Sequence, residues 1–257
     1  MNKNLKKRFW EIDSLRGIAI VLMVAYHFLF DLNYFNIYNF NLSSGFLWWF
    51  ARIDAGIFIL LVGISLTLSY SRNRLIGIDY EKKSLFIKYL KRGLKIFFYG
   101  MIITLITWIF IREEFIIFGV VHFIGLAIIL EYPFINYKYL NLVLGTIFIG
   151  SGIILSYFRF NFYFLAWIGF IPSTLNTVDY FPLLPWLGVV SIGLFLGNIF
   201  YRNYKRRFFL PDLSKTGIIR LFSFLGRNSL IIYLIHQPVL IVTLYLFGGL
   251  NITLLFN

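Results

Sequence analysis

Apolar runs long enough to cross a bilayer recur from one end of this chain to the other. A membrane-spanning helix needs about 20 mostly apolar residues, whereas a strand of a transmembrane barrel alternates apolar and polar residues over about ten. The runs here are continuous, and 60% of the 257 residues are hydrophobic while only 14% are charged. The sequence therefore predicts an all-α, polytopic bundle of transmembrane helices rather than a barrel or a soluble domain.

The limits of these runs indicate seven clear spans and one ambiguous segment. The segment 161–179 is apolar but short, and Pro172 interrupts it, so we expect a re-entrant or interfacial piece. If this segment crosses the membrane, the bundle has eight spans instead of seven. We find no internal repeat and no separate soluble domain, so residues 1–257 are predicted to form one membrane domain with a short basic head at 1–14. The clear spans are predicted at roughly 15–34, 46–70, 94–111, 115–131, 140–157, 181–201 and 228–248.

The net charge of +13 comes largely from basic residues grouped in a few stretches, namely the head and the predicted loops 72–95 and 202–220. Cytoplasmic loops of membrane proteins are enriched in Lys and Arg. A cytoplasmic N-terminus with seven spans places all three stretches in the cytoplasm, whereas eight spans would place the last one outside. We therefore expect a multi-pass protein of the cytoplasmic membrane whose partner is the lipid bilayer, not nucleic acid.

Two ionisable residues lie in the first apolar run, which reads RGIAIVLMVAYHFLFD. His27 follows Arg16 by eleven residues, or roughly 16 Å of helix, so it falls near the middle of a hydrocarbon core about 30 Å thick. Asp31 follows His27 by four residues and therefore lies on the same helix face. A carboxylate beside an imidazole can orient it and stabilise its charged form, as in acyl transfer. We predict that His27 is catalytic and that Asp31 orients it.

The other two histidines, His122 and His236, also fall within predicted spans, at similar depth. Ionisable residues inside a membrane usually face a bundle interior or a wet cavity and are functional, although a packed, hydrogen-bonded histidine is the alternative. We expect both to line a path for a substrate. A divalent metal would need further ligands at fixed geometry on other helices, so no metal is expected. The chain has no cysteine, which excludes a thiolate site and a cysteine nucleophile.

Charged residues near the starts of the first two spans are further candidates. Arg52 and Asp54 are two residues apart, so they do not face each other on a helix. They are either anchors at the membrane interface or groups that bind a substrate. Arg16 forms an ion pair with Asp13 three residues earlier, or it binds a phosphate of an acyl donor.

The sequence DSLRGIAIVLMVAYHF resembles the first span of the membrane acyltransferases, whose shared mark is an arginine, ten residues and a histidine; here these are Arg16 and His27. Across the chain, the pattern resembles the bacterial and archaeal relatives of the heparan-alpha-glucosaminide N-acetyltransferase catalytic domain. Five pieces carry this resemblance in order: LRGIAIVLMVAYHFLFDL, FILLVGISL, FGVVHFIGL, DYFPLLPWLGVVSIG and LGRNSLIIYLIHQPVL.

The resemblance implies an enzyme that moves an acyl group, usually acetyl from cytosolic acetyl-CoA, to an acceptor such as a sugar or another small hydroxyl or amine. It implies His27 as the catalytic histidine and Arg16 as its companion. In the lysosomal member of the family, an asparagine stands at the position of His27 and the essential histidine lies in the loop beyond. The loop 35–44 has no histidine here, so the active histidine follows the Arg-ten-His pattern, and the resemblance does not imply aminosugar specificity. A proton-coupled transporter of small solutes that uses His and Asp at the midplane is the alternative function.

Overall fold

The computed structural model describes residues 8–76 and 82–247, and most of this part of the chain is helical. The described ranges contain no β-strand, only isolated bridges between Phe118 and Tyr180 and between Phe160 and Pro172. The all-α prediction is therefore confirmed. The α-helices of the described residues are α1 (Trp10–Tyr34), α2 (Gly45–Leu75), α3 (Lys82–Phe110), α4 (Val120–Leu130), α5 (Lys138–Ser156), α6 (Leu183–Phe200), α7 (Gly217–Arg227) and α8 (Ser229–Leu246).

Six of these helices are long and apolar enough to cross a membrane: α1, α2, α3, α5, α6 and α8. Helix α4 is also apolar but has only 11 residues. At 1.5 Å per residue it is roughly 16 Å long, about half of the hydrocarbon core. As expected, no spanning helix forms over residues 161–179, where the longest helical piece is the 3-10 turn Ala166–Ile168. The chain is thus a multi-pass helical membrane protein.

Several boundaries differ from those predicted, three of them in the basic stretches. Helix α1 begins at Trp10, so residues 10–14 of the predicted head are helical, while residues 1–7 lie outside the described part. The stretch 72–95 is mainly the end of α2 and the beginning of α3, apart from residues 77–81, which lie outside the description as well. The predicted loop 202–220 includes the start of α7. A basic stretch does not show where a helix ends, because Lys and Arg are good helix formers and the helices continue through these stretches.

The described residues divide into two compact units, and each is considered by itself below. The first, Val62–Phe209, contains the second half of α2 and helices α3 to α6. The second consists of residues 8–61 and 210–247 and contains α1, the first part of α2, α7 and α8.

Helices of the first unit cross on glycines. A Cβ added to Gly125 of α4 would lie 2.5 Å from the backbone nitrogen of Phe97 in α3. A Cβ added to Gly188 of α6 would lie 2.6 Å from the carbonyl oxygen of Gly145 in α5. Small residues of this kind let membrane helices approach backbone to backbone. The buried core of this unit is formed by Leu66, Leu85, Tyr89, Ile128, Ile135 and Leu194.

The second unit has a similar crossing between α1 and α7. A Cβ added to Gly17 would overlap the carbonyl of Phe222, and one added to Gly226 would overlap the carbonyl of Asp13. Beside this contact, the hydroxyls of Ser14 and Ser223 are hydrogen-bonded at 3.0 Å. The first turns of α1 are therefore buried by protein rather than by lipid, which explains how polar residues such as Asp13 occur there.

Candidate active site

His27 of α1 and His236 of α8 face each other in the second unit. Their ring centroids are 4.7 Å apart, and the rings meet edge to face. The His27 ring also contacts Tyr26 and Phe30 edge-on, with centroids 6.0 and 6.4 Å away. Two of the three histidines predicted at similar depth are thus neighbours, in a setting otherwise made of aromatic rings.

Asp31 pairs with α8 rather than with His27. The side chain of Asp31 is 1% exposed, and its Oδ1 accepts a hydrogen bond from Nε2 of Gln237. Asp31 Oδ2 and Gln237 Oε1 are buried with no hydrogen-bond partner among the described residues. Asp31 and His27 still share a helix face toward α8, as their spacing predicts. Asp31, however, holds Gln237, the residue that follows His236 on α8. The sequence predicted that Asp31 would contact His27 directly, and the structure shows this hydrogen bond to α8 in its place.

The ring of His236 is held in one orientation by its own helix. Its Nδ1 lies 2.6 Å from the backbone carbonyl oxygen of Tyr233. Because a carbonyl only accepts, Nδ1 carries the proton, and Nε2 of the neutral ring is an acceptor. This Nε2 is buried and has no partner in the described part of the chain.

Arg52 and Asp54 of α2 lie in different environments. Arg52 is exposed, stacks on Trp48 with its guanidinium carbon 3.5 Å from the ring centroid, and donates a hydrogen bond to the Trp48 carbonyl at 3.3 Å. This arrangement is typical of an anchor at a membrane interface. Asp54 is buried, and its Oδ1 has no partner among the described residues. Asp54 borders an apolar cleft of about 180 Å³ between α1 and α2 in this unit.

Arg16 lies in the segment of α1 that packs against α7, immediately before Gly17. It is half-buried. Asp13, its possible partner from the sequence, forms a two-point ion pair with Arg8, with both N–O distances at 2.9 Å. Since α1 is continuous, Arg16 and His27 are separated by roughly 16 Å of helix.

His122 belongs to the first unit, where it caps α4. Its Nδ1 accepts a hydrogen bond from the backbone N–H of Gly119 at 3.2 Å, and its Nε2 lies 3.2 Å from the hydroxyl of Thr104. That hydroxyl donates to the carbonyl of Ile116, so Nε2–H of His122 is the donor to Thr104. Both nitrogens are thus used by the protein, and neither is available to a substrate in this arrangement.

Asp179 completes the same cap by accepting a hydrogen bond from the backbone N–H of Val120 at 3.2 Å. The next residue, Tyr180, donates its hydroxyl to the carbonyl of Ala166 at 2.7 Å. Burial raises the pKa of Tyr180 to about 12, against a smaller opposing effect of Arg159, so the phenol remains a donor. The cap explains why α4 begins at Val120 and not near 115 as predicted: side chains satisfy the helix end inside the protein.

We expect His122→Ala to destabilise the protein by about 1–3 kcal/mol, because the change leaves the buried N–H of Gly119 without its partner. His122→Gln should destabilise the protein much less, because a glutamine side chain at this position of a helix can also accept a hydrogen bond from the N–H of the capping residue, Gly119. The measurement is the melting temperature of the purified variants in detergent. Equal melting temperatures for the two variants would contradict the capping role.

Sequence reasoning missed several residues of these sites. Local spacing gives no signal for the role of Gln237, because its partner Asp31 is more than 200 positions away. Glu131 of the first unit is 2% exposed and accepts a hydrogen bond from the hydroxyl of Ser191 on α6, yet its sequence position suggested only a span end. A carboxylate directly after an apolar run was the available signal.

A helical membrane protein with a contacting pair of histidines on two of its helices is the class that this fold and site define. The family model described as "Heparan-alpha-glucosaminide N-acetyltransferase, catalytic" matches residues 8–238, which include every predicted site residue. The chain therefore belongs to this family of membrane acetyltransferases, as the resemblance predicted. A search of curated proteins found no match, and neither did a search of solved structures.

Proposed function

We propose that this chain is an integral-membrane acyltransferase that moves an acetyl or other acyl group from acyl-CoA to a hydroxyl or amine of a small acceptor, such as a sugar. The observation that supports this most is the contact between His27 and His236 within a chain of the acetyltransferase family. Neither histidine needs a metal for this chemistry. His27 is either the general base toward the acceptor or the group that carries the acyl chain transiently.

Arg16 is proposed to hold a phosphate of the acyl donor at the cytoplasmic side. It lies at the crossing of α1 with α7, and the same unit contains three exposed basic residues on or just before α7: Lys215, Arg220 and Arg227. Guanidinium groups bind phosphates with paired hydrogen bonds. A donor held there by its phosphates extends its thioester along α1 toward His27. This orientation puts the N-terminus in the cytoplasm, where acyl-CoA is made available.

The test is transfer by the purified protein. Detergent-solubilised protein is incubated with radiolabelled acetyl-CoA and a panel of sugars, amino sugars and simple alcohols, and both free CoA and labelled product are measured. Acceptor-dependent product supports the proposal. Solute uptake into liposomes without acyl-CoA, together with no transfer to any acceptor, would favour a transporter instead.

We expect Arg16→Gln to raise the KM for acetyl-CoA about tenfold while kcat changes little, because one hydrogen bond to a charged group contributes about 1.5 kcal/mol. Arg112→Gln is a matched control, because Arg112 is exposed at the far end of α3 and the change removes the same charge. An unchanged KM in Arg16→Gln, or an equal rise in the control, would contradict this role for Arg16.

A further inference from the structure

Helix α8 carries a hydrogen-bond acceptor, Nε2 of His236, that no described residue of the protein pairs with. Nε2 of His236 is buried and unpartnered among the described residues, while Nδ1–H is held by the carbonyl of Tyr233. The His236 side chain is only 8% exposed. A buried polar atom without a partner normally costs about 1–3 kcal/mol, so its persistence at a defined position calls for an occupant.

His122 provides an internal comparison. His122 is also buried, but both of its ring nitrogens have protein partners, at 3.2 Å each. The two histidines are also fixed in opposite tautomers, with Nε2–H in His122 and Nδ1–H in His236. The free nitrogen of His236 is therefore not a general feature of histidines in this chain.

The unpaired atoms of His236, of its chain neighbour Gln237 and of Asp31 are of one kind. Oε1 of Gln237 and Oδ2 of Asp31 are also buried and unpartnered within the described ranges, and these two side chains are hydrogen-bonded to each other. With Nε2 of His236, all three are acceptors in the neutral ring and ionised carboxylate forms. The matching occupant must supply O–H or N–H donors. An acceptor hydroxyl or amine has such donors, whereas a thioester has only acceptors.

We propose that Nε2 of His236 takes the proton from the acceptor's nucleophilic O–H or N–H group, with Gln237, held by Asp31, binding another donor of the same molecule. This step rests on the acyl transfer proposed above. The acceptor's bond to hydrogen breaks, its oxygen or nitrogen forms a bond to the acyl carbon, and the bond from that carbon to its leaving group breaks. The leaving group, either CoA sulfur or a nitrogen of His27, keeps the electron pair and receives the proton from the His236 imidazolium.

This division gives the two histidines different tasks. The Nδ1–H of His236 is tied to the backbone, so its ring exchanges protons at one atom only. His27, whose ring lies 4.7 Å away among aromatic groups, is left next to the acyl carbon. His236 is then a catalytic residue, rather than only part of the lining predicted from the sequence.

The first test reads the tautomer directly. With only three histidines in the chain, protein labelled with ¹⁵N-histidine gives few ring signals, and single His→Gln variants assign them. We expect a protonated Nδ1 and an unprotonated Nε2 for His236, and the reverse for His122. A proton on Nε2 of His236 in the neutral ring would overturn the inference, whether or not turnover is observed.

The second test is chemical rescue. We expect His236→Ala to lower kcat about 100-fold with little change in the KM for acetyl-CoA, because a positioned general base contributes about 10²- to 10⁴-fold. Added imidazole should restore part of the rate, which a purely structural role would not allow. Ile235→Val is the matched control, because this neighbouring side chain on α8 is half-exposed. His236→Gln, which keeps a side chain of similar size, replaces the alanine variant for the rate measurement if the latter does not fold.

The possible outcomes separate the two proposals. An active wild-type protein whose His236→Gln variant is equally active, or whose His236→Ala variant folds but is not rescued, contradicts the role of His236 alone. No transfer by the wild-type protein to any acceptor contradicts the proposed function, and the catalytic step falls with it. Rescue by imidazole, with no rescue of His27→Ala under the same conditions, supports the division of tasks.

Discussion

His27→Ala is expected to reduce acyl transfer by about 1,000-fold, within the range of about 10²- to 10⁴-fold that a positioned catalytic group contributes. The His27 ring is the part of α1 that meets His236, and no other histidine of α1 can replace it. The measurement is product formation from labelled acetyl-CoA at saturating acceptor. Phe28→Leu is the matched control, because this neighbouring aromatic residue on α1 is 38% exposed and makes a change of similar size.

The double variant His27→Ala/His236→Ala adds information about coupling. When two residues act as a unit, substituting both reduces activity far less than the product of the two separate reductions. We expect the double variant to be about as inactive as His27→Ala alone. Full activity in His27→Ala would remove this histidine from the mechanism, and strictly additive losses would show that the two rings act independently.

Labelling of the wild-type protein in the absence of acceptor distinguishes the two roles left open for His27. If His27 carries the acyl group, labelled acetyl-CoA without acceptor leaves label on the protein and releases CoA in an initial burst. If His27 is only a hydrogen-bond donor to the acyl group, no label remains on the protein and both substrates must be bound together. The label, where present, should be absent from His27→Ala and retained in His236→Ala.

Much of the fold follows from the sequence because the bilayer imposes simple rules. A span must be about 20 apolar residues long, so long apolar runs such as the one before Tyr34 are readable without any tertiary information. The helix α7 was missed because only one face of its eleven residues is apolar enough to pack, and basic residues surround it. The start of α4 was missed because its cap includes Asp179, which is 59 positions from Val120 in the sequence.

The site was partly predictable for a related reason. Ionisable residues stand out against an apolar background, so His27 and His236 were found by composition and depth alone. The residues that contact them could not be found in this way. Local spacing defines which residues share a helix face, but tertiary packing decides which other helix that face contacts. The pairing of Asp31 with Gln237, and the difference between the satisfied His122 and the unsatisfied His236, exist only in three dimensions.

Gly17 and Gly226 show most clearly what the sequence alone could not predict. The stretches LRG and GRNS contribute to the resemblance, and the structure gives two of their residues a packing role: Gly17 and Gly226 form the crossing of α1 with α7. A glycine inside an apolar helix looks unfavourable by propensity, and only the facing backbone explains it. The position of Arg16, next to Gly17, therefore depends on this crossing.

Gly17→Val and Gly226→Val are each expected to detach α7 from α1, at a cost of more than about 3 kcal/mol, because the obstructing atoms are backbone carbonyls that cannot rotate away. Gly56→Val changes a glycine of α2 that has open space beyond its Cβ position, so it is the matched control and should cost less than about 1 kcal/mol. Melting temperatures in detergent give the size of each effect.

A crosslink tests detachment itself, since the chain has no cysteine of its own. The hydroxyls of Ser14 and Ser223 are 3.0 Å apart, so the pair Ser14→Cys and Ser223→Cys should oxidise readily when α7 is docked. We expect rapid disulfide formation in this pair alone and in combination with Gly56→Val, and slow formation in combination with Gly17→Val or Gly226→Val. Crosslinking at the same rate in all four proteins would show that α7 remains docked without these glycines. Because Arg16 lies at this crossing, variants with α7 docked should keep a low KM for acetyl-CoA, and variants with α7 detached should have a higher KM. This result would link Gly17 and Gly226 to donor binding rather than to the chemical step.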